Sequence, residues 1–571
     1  MRRHRLPSSS LSITDAKTQR YDRQLRLWAA SGQAALESAH VLVITGSALA
    51  TSTLKNLVLP GVGAFTILDD SKVQAEDLGN NFFLQPGETQ IGDLRAEQAA
   101  KYLSELNEGV KAQYLNQSVS TFLESSSEPL APYSLVICAG ASPTETLPLA
   151  DACWSAGVPM ISVRSSGFIA SVRTQMQEAF FIETHPDQEA TLDLRLYSPW
   201  PELEQHALSI DFNTSDTHEY AHIPPLIILL RALDNFRKTH DGQLPSSYGD
   251  KKQLQTLIRE MKRGGIYADE ENFEDAIGMV MKAVKPTEVP SGVKALFKDP
   301  ACEKLTASSP PFWILLRALR EFVHDPQANN GAPLLPLVGN VPDMKATSTG
   351  FAKLVSLFRT KAKQDMAIYR KHLSNLMQDL HVPEGYISDE QINVFVKNAA
   401  FVQVIRGRKM RDEYERPQTK QIVSALQTAA MGDPMLVLSE GEEAPTPCGA
   451  VHFYLALRAA DIFNVEHSRW PGSGNKEEDP DGSKDLDECL HCAERVLRTC
   501  TGDETATVDE SLEMAVKEIV RGGGADLPQI AAFLGGVVAQ EAIKIITKQY
   551  VPLNGTWILD GMKSMSESFN F

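Results

Sequence analysis

Several shortages narrow the class of this chain before any motif is read. Cysteine is sparse, seven in 571 residues, with no secretory segment before them. A disulfide framework is therefore not expected, and reduced thiols of the cytosol or nucleus are. No uninterrupted apolar run reaches the length of a bilayer span, so no membrane segment is expected. Positive charge is in deficit: 55 Lys and Arg stand against 73 Asp and Glu, a net −18. Such a balance repels nucleic acid and anionic membrane. The one close cysteine pair, Cys489-Leu490-His491-Cys492, has no second pair to complete a tetrahedral zinc site, so no metal is assigned. Residues 1–17 open on Met1-Arg2-Arg3-His4-Arg5 and lack the apolar stretch of a signal peptide; they read as a disordered tail.

What is present is a globular, multidomain texture, 43% hydrophobic and 22% charged. Arg20 to Ala30 is helix-like. Val41 to Ile44 is a short all-apolar run of the kind found in buried parallel strands. A helix over Ser52 to Leu59 follows, then Gly61-Val62-Gly63 and a strand over Phe65 to Leu68 ending in Asp69-Asp70, which together make a βαβ unit. Leu135 to Cys138 and Val158 to Val163 read as further strands around a helix over Leu147 to Ser155. Strands alternating with helices predict a doubly wound α/β sheet.

Beyond residue 200 helical periodicity takes over, as in Phe351 to Leu380 and in Ser388 to Ile405, which opens on a capping box of Ser388 and Gln391. Leu230-Arg231-Ala232 before Phe236 recurs as Leu316-Arg317-Ala318 before Phe322 and Leu457-Arg458-Ala459 before Phe463. Unequal intervals make these core stripes and not a solenoid. Residues 466–485 read as a loop. From Gly522 the α/β texture returns: a helix over Leu527 to Thr547 holding Gly535-Gly536, then a strand over Trp557 to Asp560. The predicted organisation is a Rossmann-like domain over 18–200 and 518–571, interrupted by a mainly helical insertion over 201–517.

A strand, a tight turn and a helix N-terminus make the usual cradle for a nucleotide phosphate, with glycines letting the phosphate approach. Here the turn is Thr45-Gly46-Ser47-Ala48-Leu49-Ala50, with one glycine where a working turn needs three. By itself it reads as a plain βα connection.

The stretches YDRQLRLW, LKNLVLPGVGAFTILD and AAFLGGVVAQEAIKIITKQ resemble the adenylation domain of ubiquitin-like-activating enzymes. FFLQ, ETHPD and DLRLYSPWPEL extend the likeness through nearly the whole chain, toward the non-catalytic subunits of the Nedd/Rub-type heterodimers. The resemblance implies that the family's loop glycines fall on Thr45, Ser47 and Ala50. It implies that the acid pair after the second strand keeps Asp69 but has Ser71 for its second member. The family's nucleotide-binding arginine is lost from Glu76 to Phe82, a lysine is replaced by Arg95, and the metal-holding aspartate has no counterpart in Ile137 to Ser142. Pro447-Cys448-Gly449 lacks the threonine that follows the family's nucleophile. Arg20-Tyr21-Asp22-Arg23-Gln24 is intact, and the resemblance implies that Arg23 reaches across a dimer to the partner's nucleotide.

On that reading the chain has no catalytic residue, metal or cofactor of its own. ATP and magnesium belong to a catalytic partner subunit, and the other partners are a ubiquitin-like modifier and, further along, a conjugating enzyme. Three other readings stand beside it: a complete homodimeric adenylating enzyme, the regulatory half of a SUMO-type activating enzyme, and an NAD(P)-dependent Rossmann oxidoreductase using Asp69 or Asp70 for the ribose. Arg23 has a plain alternative too, an ion pair on the surface with Asp22 or Asp69.

Overall fold

The computed structural model describes residues 18–85, 87–184, 193–264, 269–431, 448–474 and 482–571. The expected tail over 1–17, most of ETHPD and Pro447 lie outside them. The chain divides into two compact units, one of residues 1–181 with 404–571 and one of residues 182–403.

In the first unit helix α1 (Asp22–Ser38) breaks at Trp28–Ala29, where Ala29 takes φ +55°. Strand β1 (His40–Ile44), α2 (Ala48–Val58) and β2 (Ala64–Leu68) form the expected βαβ unit. After α3 (Ala75–Asn80) and α4 (Arg95–Ser104) come β3 (Lys111–Leu115), α5 (Val119–Glu124), β4 (Leu135–Ala139) and α6 (Pro143–Ala156). Three more strands, β5 (Met160–Ser166), β6 (Ile169–Gln175) and β7 (Glu178–Ile182), end this half.

The second unit, read by itself, is mainly helical. Its core gathers α7 (Pro225–Thr239), the helices Tyr248–Glu260 and Glu271–Ala283, and the start of the long helix Ser348–Asp379. The core-stripe reading holds: Leu230, Ala232 and Phe236 are buried, and so are Leu316, Ala318 and Phe322 of α8 (Pro311–His324). Ser388 does cap a helix through the Gln391 amide, but that helix runs only Asp389–Lys397. The rest of the expected segment enters strand β8 (Val402–Arg406), whose β-branched residues suit a pleated pairing with β7.

The chain then adds α9 (Met410–Glu415), α10 (Thr419–Met431), α11 (Ala450–His467), α12 (Ser483–Thr501) and α13 (Glu510–Gly522) to the first unit. Here the structure differs from the predicted boundaries, which placed 201–517 in one insertion. Residues of α10 to α13 share a core with Ile169, Ile558, Phe569 and Phe571, so these helices pack on the sheet. Helical periodicity marks an apolar face and does not say which neighbour covers it.

Last come α14 (Pro528–Thr547), β9 (Gly555–Asp560) and β10 (Met565–Phe569). The eight-stranded sheet runs β10-β9-β6-β5-β4-β1-β2-β3. Strands β3, β2, β1, β4 and β5 are parallel, the expected doubly wound half, while β6, β9 and β10 are antiparallel. Alternate residues point to opposite faces. Val41, Val43, Phe65 and Ile67 pack toward α2 and α14, and Leu42, Ile44, Val136 and Cys138 toward the other side.

Helix α14 is the one described helix apolar and long enough to cross a bilayer, yet more than half of it is buried in the protein. It lies against α2, and a Cβ on Gly535 would stand 2.7 Å from the Ser52 carbonyl carbon. The expected close approach is thus real at Gly535 and absent at Gly536, which faces open space.

Candidate functional site

The cradle forms where β1 hands over to α2, beside the ends of β2 and β4. Its turn keeps a glycine-like backbone without the glycine: Thr45 sits at φ +70°. A left-handed β-branched residue is strained, and the Thr45 hydroxyl helps hold it by donating to the Ala139 carbonyl at 2.7 Å. Ser47 caps α2, its hydroxyl accepting from the Ala50 amide at 3.3 Å. Ala50 is fully buried. Asn81, in the stretch where the resemblance implies a lost arginine, donates to the Gly46 carbonyl at 2.9 Å.

Protein side chains pair with one another across the cradle. Asp69 ends β2 and accepts from the Gly46 amide at 2.7 Å, the Ser71 amide at 2.9 Å and Arg95 Nε at 2.7 Å. Arg95 also reaches Asp77 at 3.2 Å. Burial works against the Arg95 charge, but the two carboxylates more than offset it and hold its pKa above the usual arginine value. Gly46 is needed for this packing, since a Cβ there would lie 3.2 Å from both Arg95 Cγ and Asp69 Oδ2. Arg95, expected as the relic of a phosphate-facing cation, is turned inward onto Asp69 and Asp77.

A second anion faces the start of α2. The Asp526 carboxylate accepts from the Ser165 hydroxyl at 2.5 Å and also meets the Leu49 amide and Ser47 hydroxyl. A helix N-terminus attracts negative charge, and here the chain supplies that charge itself. Burial pushes the Asp526 carboxyl above the usual aspartate value, against the pull of Ser165, the Leu49 amide, Arg95 and Ser47. What remains is a cavity of about 130 Å³ bordered by Thr45, Ser47, Arg95, Ser165, Trp470 and Asp526. Pockets for cofactors usually measure roughly 300–1,000 Å³. Between the occupied Asp69, the inward Arg95 and Asp526 at the helix start, these residues do not fit ATP·Mg²⁺. Nor do they fit a dinucleotide, because Asp69 already accepts three hydrogen bonds. Asp526, Ser165 and Trp470 carried no signal in the sequence; Ser165 and Asp526 are 361 positions apart.

The cysteines are poor nucleophiles. Cys448 is half-buried, and burial pushes its thiol up to about 11. Cys489 and Cys492 sit in the apolar core of the helices around α12, with thiols pushed up to about 12 and about 11 by burial. No cluster of metal-ligating side chains occurs among the described residues.

Arg23 lies apart from the cradle on the exposed first turn of α1. The acids offered as its surface partners are engaged elsewhere: Asp22 pairs with Arg26 at 2.9 Å, and Asp69 with Arg95. The segment carrying Arg23 is pinned at both ends. Tyr21 is buried and its hydroxyl accepts from Asn107 at 3.0 Å, while the Trp28 carbonyl accepts from Gln549 at 2.8 Å. Gly61, at φ +91°, leaves room for the Tyr21 ring; a Cβ there would lie 2.7 Å from its hydroxyl.

Comparison with known proteins agrees with this picture. The ThiF family model matches residues 21–571. The chain is 38% identical to the zebrafish (Danio rerio) NEDD8-activating enzyme E1 regulatory subunit over 98% of this chain and all of that protein. The chicken (Gallus gallus) protein of the same name is 39% identical over 97% of this chain and 98% of its own length. The NEDD8-activating enzyme E1 regulatory subunit AXR1 of Arabidopsis thaliana is 32% identical over 97% of this chain and 96% of its own. Matched over nearly its whole length, this chain belongs to the ThiF family, among the NEDD8-activating enzyme E1 regulatory subunits.

Proposed function

We propose that this chain is the regulatory subunit of a heterodimeric NEDD8-activating enzyme and acts through a catalytic partner subunit, with no nucleotide of its own. The observation that carries the reading is the cradle held by Asp69, Arg95, Asp77 and Asp526 in a chain whose full-length relatives bear that name. ATP and magnesium belong to the partner. There the modifier's C-terminal carboxylate attacks the α-phosphorus, pyrophosphate leaves, and a partner cysteine thiolate then displaces AMP to form the thioester.

Arg23 is the group this chain contributes to that chemistry. An exposed arginine on a pinned segment can offer its planar fork to phosphate oxygens across a subunit boundary. The helical unit over 182–403 supplies surface for framing the modifier, and the conjugating enzyme is the next partner in the sequence. Acidic net charge and sparse cysteine support a site of action in the cytosol or nucleus. The relatives favour the NEDD8 type over the SUMO-type half, and the occupied Asp69 disfavours the oxidoreductase. Isotope exchange between ATP and pyrophosphate tests the reading. The purified chain alone should show none, and the complex with its catalytic subunit should show it only with the modifier present. Modifier-dependent exchange by the chain alone would overturn the reading.

A further inference from the structure

Helix α11 is buried on nearly every side, yet it carries an arginine in its middle. Arg458 is only 7% exposed. A buried guanidinium is costly unless it is paired. Its Nη1 donates to the Glu413 carbonyl at 2.8 Å and to the Tyr454 hydroxyl at 3.1 Å, and the Tyr414 ring lies 3.9 Å from the guanidinium carbon. No carboxylate pairs with it among the described residues. Asp461 is taken on both oxygens by Arg164 and also accepts from Tyr414 at 2.7 Å. Glu413 is taken by Arg173 and the Thr556 hydroxyl. The Arg458 Nε–H is left with no acceptor.

These groups border one cavity of about 60 Å³ on the face of the sheet opposite α2. Among the described residues lining it, Arg164, Arg173 and Arg458 stand against Glu413 and Asp461, an excess of one positive charge. Thr146, Ser162 and Ser171 also line it. About 10–15 Å³ admits a water, so the cavity has room for water or a halide and none for a metabolite. We propose that this cavity is a binding site for one small monovalent anion of halide size, the missing counter-ion of Arg458. Entry is past Arg164, the most exposed of the three arginines, which also borders the cavity at the cradle.

The site is separate from the nucleotide cradle and does not depend on the functional reading above. Crystals of the full chain in its complex, soaked in sodium bromide, should give an anomalous peak in the cavity beside Arg458. In solution, thermal melts of the wild-type chain at fixed ionic strength should differ between chloride and gluconate. Chloride from 1 to 100 mM should raise the melting temperature by about 1–2 °C, in proportion to the logarithm of its concentration once the site is mostly filled. Arg458→Met should lose that response. A cavity without a bromide peak, with superimposable melts in the two salts, would overturn the proposal in favour of water. A chloride response that survives Arg458→Met would also overturn it, because the ion would then bind elsewhere. Should Arg458→Met fail to fold, the bromide peak in the wild type decides.

Discussion

Gly535 and Gly536 allow the packing of α14 on α2 to be tested with one chemical change made twice. Both glycines lie inside the helix Pro528–Thr547. Replacing a helical glycine with alanine is favourable by roughly 0.5–1 kcal/mol where the new methyl has space. At Gly536 nothing lies within 4 Å of an added Cβ, so Gly536→Ala should stabilise the chain by about that amount. At Gly535 the same methyl would meet Ser52 at 2.7 Å from its carbonyl carbon, 2.8 Å from its Cβ and 2.9 Å from its carbonyl oxygen. Carbon atoms in good contact sit about 3.5–4.0 Å apart, so α14 and α2 must separate. Overpacking of this kind costs about 1–3 kcal/mol. After the helix gain, Gly535→Ala should destabilise by roughly 0.5–2 kcal/mol. The two variants should therefore move in opposite directions in urea unfolding of the purified chain, with m unchanged. Equal shifts of the same sign would refute the close helix contact.

Arg95→Ala should cost about 2–4 kcal/mol, because it strips the cation from Asp69, whose side chain is 3% exposed, though two amides still bind that carboxylate. A urea midpoint indistinguishable from wild type would show that the ionic cluster does not hold the turn. Burial disfavours the charged form of Asp526, so stability should fall as pH rises through its raised native pKa, and Asp526→Asn should remove that fall. A pH-independent loss of stability would contradict this sign. Arg23→Ala should slow pyrophosphate exchange by the reconstituted complex by about 100-fold, the lower end for removal of a phosphate-facing donor at a partly wet boundary. Dimer assembly should be unchanged and Arg23→Lys should restore only part of the rate; an unimpaired Arg23→Ala complex would return that side chain to the solvent.

The sequence by itself determined the parallel half of the sheet and the core stripes. Each rests on local pattern: the apolar run Val41 to Ile44 cannot face water, and the apolar positions of a helix such as Leu230, Ala232 and Phe236 must be buried. Tertiary structure alone decided what occupies the cradle. Nothing near Asp526 in the chain pairs it with Ser165 or aims it at the start of α2, and nothing near Arg95 says whether it points outward to a phosphate or inward to Asp69 and Asp77. The boundary after β8 was equally out of reach, because an amphipathic helix shows that one face is covered and not whether sheet or helix covers it. The buried Arg458 makes the same point most sharply: its stripe was legible as core, but its missing counter-ion is a sum over charges brought together from β5, β6, α9 and α11, and only the folded chain takes that sum.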